Sequence, residues 1–170
     1  VADFSTFVKV EGNRGPRNDI ARLQGARFVL ASESSDGNAL DDGVLKTLTG
    51  GDTIAARFLY QESFEFLPTC KLWLMTNYPP KVRSDDGAMW RRISRISFDQ
   101  MVPLEKRDPK VKEFLRDPEG GGPAILAWLV QGCLAWQREG LGNPPTIAAD
   151  TMKYRESQDP FREFFADYLV

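Results

Sequence analysis

The stretch RFVLASE at residues 27–33 decides how this chain folds. Its apolar residues follow one another without a break and end abruptly at the carboxylate of Glu33. A short continuous apolar run is typical of a strand covered on both faces, as in a parallel α/β sheet. A second such run, CKLWLM at residues 70–75, leads into TNYPP, where two prolines force a loop. The two runs predict an α/β fold with buried strands at 27–33 and 70–75.

Two short helices and a β-hairpin are predicted between these runs. One helix is expected over residues 18–24 and the other over 41–48, where Gly50 and Gly51 close it. From residue 53 to residue 67 the apolar residues alternate with polar or small ones. This period of two predicts a hairpin whose tip lies near residues 59–62.

After the second run, we expect a third strand over residues 93–98 and helices in the rest of the chain. The helices are predicted over residues 111–116, 123–138 and 146–157, and from Pro160 onward with Asp159 as the N-cap. The segment 123–138 is apolar nearly all round, so we expect that helix to be buried.

Composition excludes several classes of protein. There is no histidine, which removes Ser-His-Asp triads and histidine-containing zinc sites. Cys70 and Cys133 each lie in an apolar run, which predicts reduced core thiols and no disulfide framework. The net charge of −2 means that any contact with nucleic acid comes from local patches. The apolar stretch 124–136 is too short to span a bilayer, so we expect a soluble, cytoplasmic protein without a membrane partner.

Polar side chains end both predicted strands. Glu33 ends the first, and Asn77 follows the second. In open α/β sheets the ligand lies beyond the carboxyl ends of the strands, so we expect both side chains at one edge. A carboxylate there can orient and deprotonate a water, and an amide can hold that water or sense a γ-phosphate. The alternative is that Glu33 is a solvated loop residue without a catalytic role. If Glu33 is considered by itself, this alternative is favoured.

Arginines supply two further candidate features. Arg91 and Arg92 follow Trp90, and an arginine at a subunit edge can neutralise the charge on a phosphate bound to a neighbouring subunit. Taken alone, adjacent arginines are more often surface charges. The hairpin carries Arg57 and Tyr60 near its tip, where charge and stacking can hold a nucleic-acid backbone. An ordinary surface hairpin remains the alternative.

Four ordered blocks resemble the phage and plasmid primase family of superfamily 3 helicases. They are GPRNDIARL through GARF to ASE at 15–33, LKTLTGGD with the hairpin that follows at 45–66, KLWLMTN at 71–77 and MWRRI at 89–93. The pairs YR at 154–155 and DP at 159–160, with Phe161, are similar to the segment that leads these proteins into a C-terminal DNA-binding region.

This resemblance implies an AAA+-like ATPase core that assembles as a homo-hexameric ring around DNA and is fused to an upstream primase-type domain. It implies that Glu33 is the Walker B catalytic carboxylate and that Asn77 is the sensor amide. Arg92 becomes the arginine finger acting on the neighbouring subunit, with Arg91 as its substitute.

The same resemblance places Lys46, Arg57 and Tyr60 in the motif that bears a DNA-engaging hairpin. Where many relatives have an acid before the Walker B glutamate, this chain has Ser32. We therefore expect Glu33 to contact Mg²⁺ and Ser32 to do so at most indirectly, through a water.

A Walker A loop, GxxxxGK followed by Ser or Thr, occurs nowhere in the sequence. In the family that loop lies upstream of the matched blocks. We therefore expect ATP and Mg²⁺ to bind the intact parent protein, and neither to bind this fragment, which is expected to be inactive alone.

The expected organisation has three parts. Residues 1–102 form a partial superfamily 3 ATPase core, residues 103–145 a helical region packed on it, and residues 146–170 the helical start of a C-terminal DNA-binding region. The leading hypothesis is the C-terminal part of an ATP-dependent DNA helicase module of a phage or plasmid primase-helicase, in the cytoplasm of a bacterial host.

Two other hypotheses stay open. One is a non-enzymatic DNA-binding or oligomerisation module of a prophage replication protein, in which the hairpin and the basic N-terminal residues grip DNA. Those basic residues are Lys9, Arg14, Arg17, Arg22 and Arg27. The other is a decayed prophage remnant that folds and does little.

Overall fold

A computed structural model describes residues 1–9, 17–32, 37–82 and 87–159. It shows a mixed α/β fold with a small parallel sheet and a separate hairpin, which confirms the α/β class. The chain divides into two compact units. The first comprises Val1–Ser94 with Thr151–Val170, and the second comprises Arg95–Asp150.

The strands are β1 (Phe28–Ser32), β2 (Ile54–Arg57), β3 (Ser63–Phe66) and β4 (Lys71–Met75). The α-helices are α1 (Asn18–Ala21), α2 (Asp42–Gly50), α3 (Gly87–Trp90), α4 (Val111–Arg116), α5 (Gly121–Glu139) and α6 (Pro145–Ser157). Two short 3₁₀ helices cover Phe4–Phe7 and Leu104–Lys106.

The first unit is built around the parallel pair β1 and β4. Phe28 pairs with Lys71 at one end of the ladder and Ser32 pairs with Met75 at the other. Side chains alternate across a strand, so Val29 and Ala31 point together into the core and are buried. Both predicted strands form, but the prediction that they are covered on both faces is wrong, because Phe28, Trp73 and Met75 on the other face are exposed.

The predicted hairpin is also confirmed. Strands β2 and β3 pair antiparallel, with Ile54 opposite Phe66 and Arg57 opposite Ser63. Alternation sends Ile54 and Phe66 into the core and leaves Arg57 exposed.

Helix α2 shows why its ends could be predicted. The Asp41 carboxylate accepts a hydrogen bond from the Val44 N–H at 3.1 Å, which caps the first turn. Gly51 ends the helix with a φ of 84°, a left-handed conformation that favours glycine. Helix α1 ends at Ala21, earlier than predicted, although the backbone continues in turns as far as Gly25.

The N-terminal segment is pinned to the first unit by backbone hydrogen bonds. The Ala2 N–H donates to the Leu30 carbonyl of β1 at 2.9 Å, and the Asp41 N–H donates to the Phe7 carbonyl at 2.8 Å. Phe7 is fully buried, and Thr6 is buried beside it. This segment therefore covers part of the core that the two-stranded sheet alone would leave open.

Two further predictions about buried or paired segments are wrong. The strand expected over residues 93–98 does not form, and within the described ranges this segment pairs with no strand. A strand needs a neighbouring edge to satisfy its backbone hydrogen bonds, and apolar alternation cannot show that one is there. Ile96 and Phe98 are exposed as a result.

Helix α5 forms as predicted but is not buried. Leu126, Trp128 and Leu129 are more than half exposed, and Cys133 is exposed as well, so it is not a core thiol. Gly121, the one buried residue of the helix, lies against α4: a Cβ there would be 2.8 Å from the Phe114 carbonyl oxygen. An apolar sequence indicates that burial of the helix is favourable, but it does not show that other residues of the chain pack on every face of that helix.

The predictions for Cys70 and for two further helices are confirmed, whereas others fall on residues that the structure does not describe. Cys70 is buried, and burial raises the pKa of its thiol, as expected for a core cysteine. Helices α4 and α6 occupy their predicted positions. The helix expected from Pro160 onward, and Arg14 of the basic N-terminal set, lie outside the described residues. In the parts of the chain that the structure describes, no helix combines the length and apolarity needed to cross a membrane.

An ion pair ties α1 to the N-terminal segment. Arg17 donates to the Asp19 carboxylate at 2.8 Å and also to the Thr6 carbonyl at 2.8 Å. Burial raises the pKa of Asp19, but the hydrogen bonds and positive charge of Arg17 outweigh it and hold the pKa below its ordinary value. The stability that Asp19 contributes is thus full above the unfolded-state pKa and is lost as pH falls through the folded-state pKa.

We therefore expect Asp19→Asn to lower the free energy of unfolding at neutral pH. The difference from the wild type should shrink as the pH falls through the folded-state pKa of Asp19, which lies below its ordinary value, because the wild-type carboxylate is then protonated. Urea unfolding at a series of pH values measures this, with Glu62→Gln, an exposed carboxylate of the hairpin tip, as the control. An Asp19→Asn effect that does not change with pH would contradict the assigned ion pair.

Candidate functional site

The candidate site lies at the sheet edge where β1 and β4 end together. Because Ser32 and Met75 are paired in a parallel ladder, the residues that follow them leave the sheet at the same edge. Ser32 is exposed at the end of β1, and Asn77 is exposed two residues beyond β4. Glu33, the predicted catalytic carboxylate, directly follows Ser32 and lies outside the described residues.

A tight turn presents Asn77. The Thr76 hydroxyl donates to the Tyr78 carbonyl and accepts from the Tyr78 N–H at 3.1 Å. This closes the turn through a side chain and leaves Asn77 at its apex. Thr76 was not among the predicted site residues, although a threonine that begins a turn before two prolines is a recognisable signal.

The connection that follows β1 and the one that follows β4 are joined by a β-bridge a few residues beyond the strands. Ala39 forms a parallel bridge with Lys81. The Lys81 N–H donates to the Asn38 carbonyl, and the Leu40 N–H donates to the Lys81 carbonyl, both at 2.8 Å. The loops after β1 and β4 are therefore joined at both ends, first by the sheet and then by this bridge.

The two arginines follow a well-anchored helical turn. Met89 and Trp90 of α3 are buried, and the chain turns immediately afterwards, with the Arg92 N–H donating to the Met89 carbonyl at 3.0 Å. Arg91 and Arg92 are both exposed. The Arg92 guanidinium donates to the Ala88 carbonyl at 2.6 Å, which holds it against α3. Within the described residues, neither arginine hydrogen-bonds to Ser32 or Asn77.

The hairpin presents its predicted DNA-contacting residues away from its packed face. Phe58 stacks on Phe64 with ring centroids 5.5 Å apart, and Phe64 contacts Phe66 at 6.0 Å. These rings brace one side of the hairpin. Tyr60 stands at the tip with 97% of its surface exposed and a left-handed φ of 62°.

Arg57 and Tyr60 are brought together on this one hairpin, Arg57 ending β2 and Tyr60 lying in the tip. Lys46 lies elsewhere, half-buried on α2. The three residues grouped by the sequence therefore lie on two different elements.

The described residues do not by themselves fit a magnesium ion. Mg²⁺ takes an octahedral set of oxygen ligands that includes one or two carboxylates. Ser32 offers one hydroxyl, and no cluster of three or more acidic or cysteine side chains suited to a metal occurs in the described ranges. No chemical step is therefore assigned to a metal here.

Comparison with known proteins finds viral relatives. The chain is 30% identical to a protein of Acanthamoeba polyphaga mimivirus named as a "putative helicase", over 89% of this chain and 17% of that protein. It is 29% identical to a Frog virus 3 protein of the same designation, over 89% and 17%. It is 28% identical to an African swine fever virus protein named as a "putative primase", over 91% and 18%.

The matches cover most of this chain, but the chain spans less than a fifth of the length of each of these relatives. Residues 5–92 also match a family profile, and they include β1, the hairpin, β4 and both arginines. Since this match covers slightly more than half of the chain, the protein belongs to the family described as a family of unknown function, DUF5906.

Proposed function

We propose that this chain is part of an AAA+-like ATPase module of the superfamily 3 type, within a longer viral replication protein that unwinds DNA and carries a primase-type domain. The observation that carries the proposal is the parallel pairing of β1 with β4, with Ser32 opposite Met75. In the proposal, Glu33 and Asn77, which follow the two strands in the sequence, act together at the edge where the strands end. The names of the viral relatives support a helicase or primase role.

The proposed chemistry is hydrolysis of ATP. Glu33 deprotonates the attacking water, and Asn77 holds that water or senses the γ-phosphate. The Thr76 turn supports the role of Asn77, because it presents the amide on a fixed backbone. ATP and Mg²⁺ are expected to bind the longer protein, whose phosphate-binding loop supplies the contacts that Ser32 and Asn77 lack.

The proposed finger is Arg92, with Arg91 as its substitute. A finger must be exposed so that it reaches the neighbouring subunit of a hexameric ring, and both arginines are exposed. Burial of Met89 and Trp90 anchors the turn that presents them. Arg92 has five side-chain N–H donors, and among the described residues its guanidinium donates to the Ala88 carbonyl, which leaves donors for phosphate oxygens in the proposal.

The open sheet supports a longer parent. Parallel sheets are normally covered on both faces, and a two-stranded sheet is marginal in water. Here Phe28, Trp73 and Met75 share the outward face of the β1–β4 pair and are about half exposed. In the proposal, that face, and the edge of β4 that pairs with no described strand, are completed by sequence outside these 170 residues.

A second candidate function is a non-enzymatic DNA-binding or assembly module. The exposed hairpin tip favours it, because Arg57 and Tyr60 offer charge and a stacking surface without any nucleotide chemistry. The two candidates share DNA as a partner and differ in whether Glu33 and Arg92 turn over ATP.

Replacing the proposed base tests the hydrolytic role. In the longer protein, Glu33→Gln is expected to lower ATP turnover at least about 100-fold, because the amide cannot accept the proton from water. ATP affinity should stay within about threefold, since the phosphate contacts lie elsewhere. Steady-state ATPase and equilibrium ATP-binding assays measure both, with Glu62→Gln as the control. Unchanged turnover in Glu33→Gln would remove Glu33 from catalysis. Micromolar ATP binding by the 170-residue chain alone would contradict the expectation that a phosphate-binding loop outside this chain is needed.

Mixing two inactive variants tests the finger. Glu33→Gln subunits retain Arg92, and Arg92→Ala subunits retain Glu33, so a mixed ring contains sites assembled from one of each. A 1:1 mixture is expected to regain up to about a quarter of wild-type turnover, whereas each variant alone stays inactive. If Glu33→Gln instead complements Arg91→Ala, the finger is Arg91. No recovery in either mixture would contradict an arginine finger that acts on the neighbouring subunit.

Binding of single-stranded DNA by the 170-residue chain tests the hairpin. Tyr60→Ala is expected to weaken binding by about 1–3 kcal/mol through lost base stacking. Arg57→Ala should reduce the slope of log K against log salt by about 0.7, the value for one phosphate contact on a single strand. Fluorescence anisotropy at several salt concentrations measures both. Phe98→Ala is the matched control, because Phe98 is 92% exposed but lies off the hairpin; an equal loss there would contradict a specific role for Tyr60.

A further inference from the structure

The end of helix α6 contacts both segments that carry the candidate site. Tyr154 is the one buried residue of α6, with 4% of its surface exposed. Its ring meets the buried ring of Trp90 edge-on, with centroids 5.3 Å apart and an interplanar angle of 82°. Trp90 directly precedes Arg91 and Arg92. Tyr154 therefore packs against the residue that anchors the arginine turn.

The hydroxyl of Tyr154 reaches the other segment. It donates a hydrogen bond to the carbonyl of Pro80, which is buried three residues after Asn77. A buried carbonyl that lost this donor would be left without a partner, at a cost larger than the bond itself is worth. One side chain thus joins the segment after Asn77 to the segment before Arg91.

Gln158 reinforces the same connection just beyond the helix. Its side-chain oxygen accepts a hydrogen bond from the Val82 N–H at 3.0 Å. Its amide nitrogen donates to the Ser157 hydroxyl at 3.3 Å, and that hydroxyl donates to the Tyr154 carbonyl at 2.7 Å. This chain of bonds orients the Gln158 amide with its oxygen toward Val82.

Residues 80–82, which are bonded to Tyr154 and Gln158, are also bonded to the connection that follows β1. Lys81 is bonded to Asn38 and Leu40, which belong to the connection after β1. A displacement of α6 is therefore transmitted through Pro80 and Val82 to the loop after Asn77, through Lys81 to the connection after β1, and through Trp90 to the arginine turn.

We propose that Tyr154 and Gln158, which we call the α6 latch, are positioning residues that couple the placement of α6 to the geometry of Asn77 and Arg92. This inference rests on the proposed function, because it assigns the latch to the hydrolytic site. Neither residue touches the reacting atoms. The latch makes turnover depend on how α6, and the chain that follows it, is held.

Hydrogen exchange in the 170-residue chain tests the latch without any ATPase activity. Tyr154→Phe keeps the ring against Trp90 and removes the bond to Pro80, and Gln158→Ala removes the partner of the Val82 N–H. Each variant is expected to speed amide exchange at Lys81 and Val82 about fivefold, the effect of one lost hydrogen bond. Tyr154→Phe should leave exchange in 87–92 unchanged, because the ring still packs against Trp90. Exchange in the hairpin should not change.

Met152→Ala is the control, because Met152 lies on the same helix and is 64% exposed. If Tyr154→Phe lowers the melting temperature so far that the chain is partly unfolded, Gln158→Ala carries the test, since its side chain is only half-buried. Unchanged exchange at Lys81 and Val82 in the folded variants would overturn the latch.

Kinetics in the longer protein test the coupling to the site. Tyr154→Phe is expected to lower kcat about fivefold and leave the KM for ATP unchanged, because the placement of the sensor Asn77 is altered while nucleotide binding is not. In an Asn77→Ala background, the same substitution should lower kcat no further. A merely structural role would instead give equal losses in both backgrounds.

The outcomes separate the two proposals. If Arg92→Ala lowers turnover and Tyr154→Phe does not, the latch is overturned and the proposed function stands. If Arg92→Ala leaves turnover unchanged, the proposed function falls, and the role given to the latch falls with it. Faster exchange together with a loss confined to kcat supports both.

Discussion

The parallel pairing of β1 with β4 is the constraint on which the rest of the first unit depends. Its register makes Ser32 and Met75 end together, and it turns Val29 and Ala31 toward the core. A slip of one residue would reverse this and bring Phe28 and Leu30 inward instead. The N-terminal segment, bonded to Leu30, and the bridge between Ala39 and Lys81 both take their positions from these two strands.

The two faces of this sheet are used differently. One face packs into the core, while the other exposes Phe28 and Trp73, whose rings contact each other at 6.0 Å. The hairpin avoids such exposure, because Phe58, Phe64 and Phe66 cover one another on its packed side and its outward positions are small or polar. The first unit thus combines a complete hairpin with a sheet that has an uncovered apolar face.

Helix α6 gives the site a connection that is not local in sequence. Tyr154 lies 74 residues after Pro80, yet it is bonded to Pro80 and packs on Trp90. A single tyrosine suits this role, because its ring supplies apolar contact and its hydroxyl satisfies a buried carbonyl. The same few residues therefore stabilise the fold and hold the loops in which the candidate site lies.

The sequence by itself determined the local elements and the candidate residues. Short apolar runs marked β1 and β4, alternation marked the hairpin, and Asp41 and Gly51 marked the ends of α2, because these signals depend on nearby residues. Only the tertiary structure decided what lies beside each element. Residues 93–98 have the pattern of a strand but pair with no strand that the structure describes, α5 is apolar but largely exposed, and the sequence did not indicate the contacts of Tyr154. Each of these outcomes depends on partners distant in sequence, and the periodicity of one segment carries no information about which surfaces the rest of the chain brings against it.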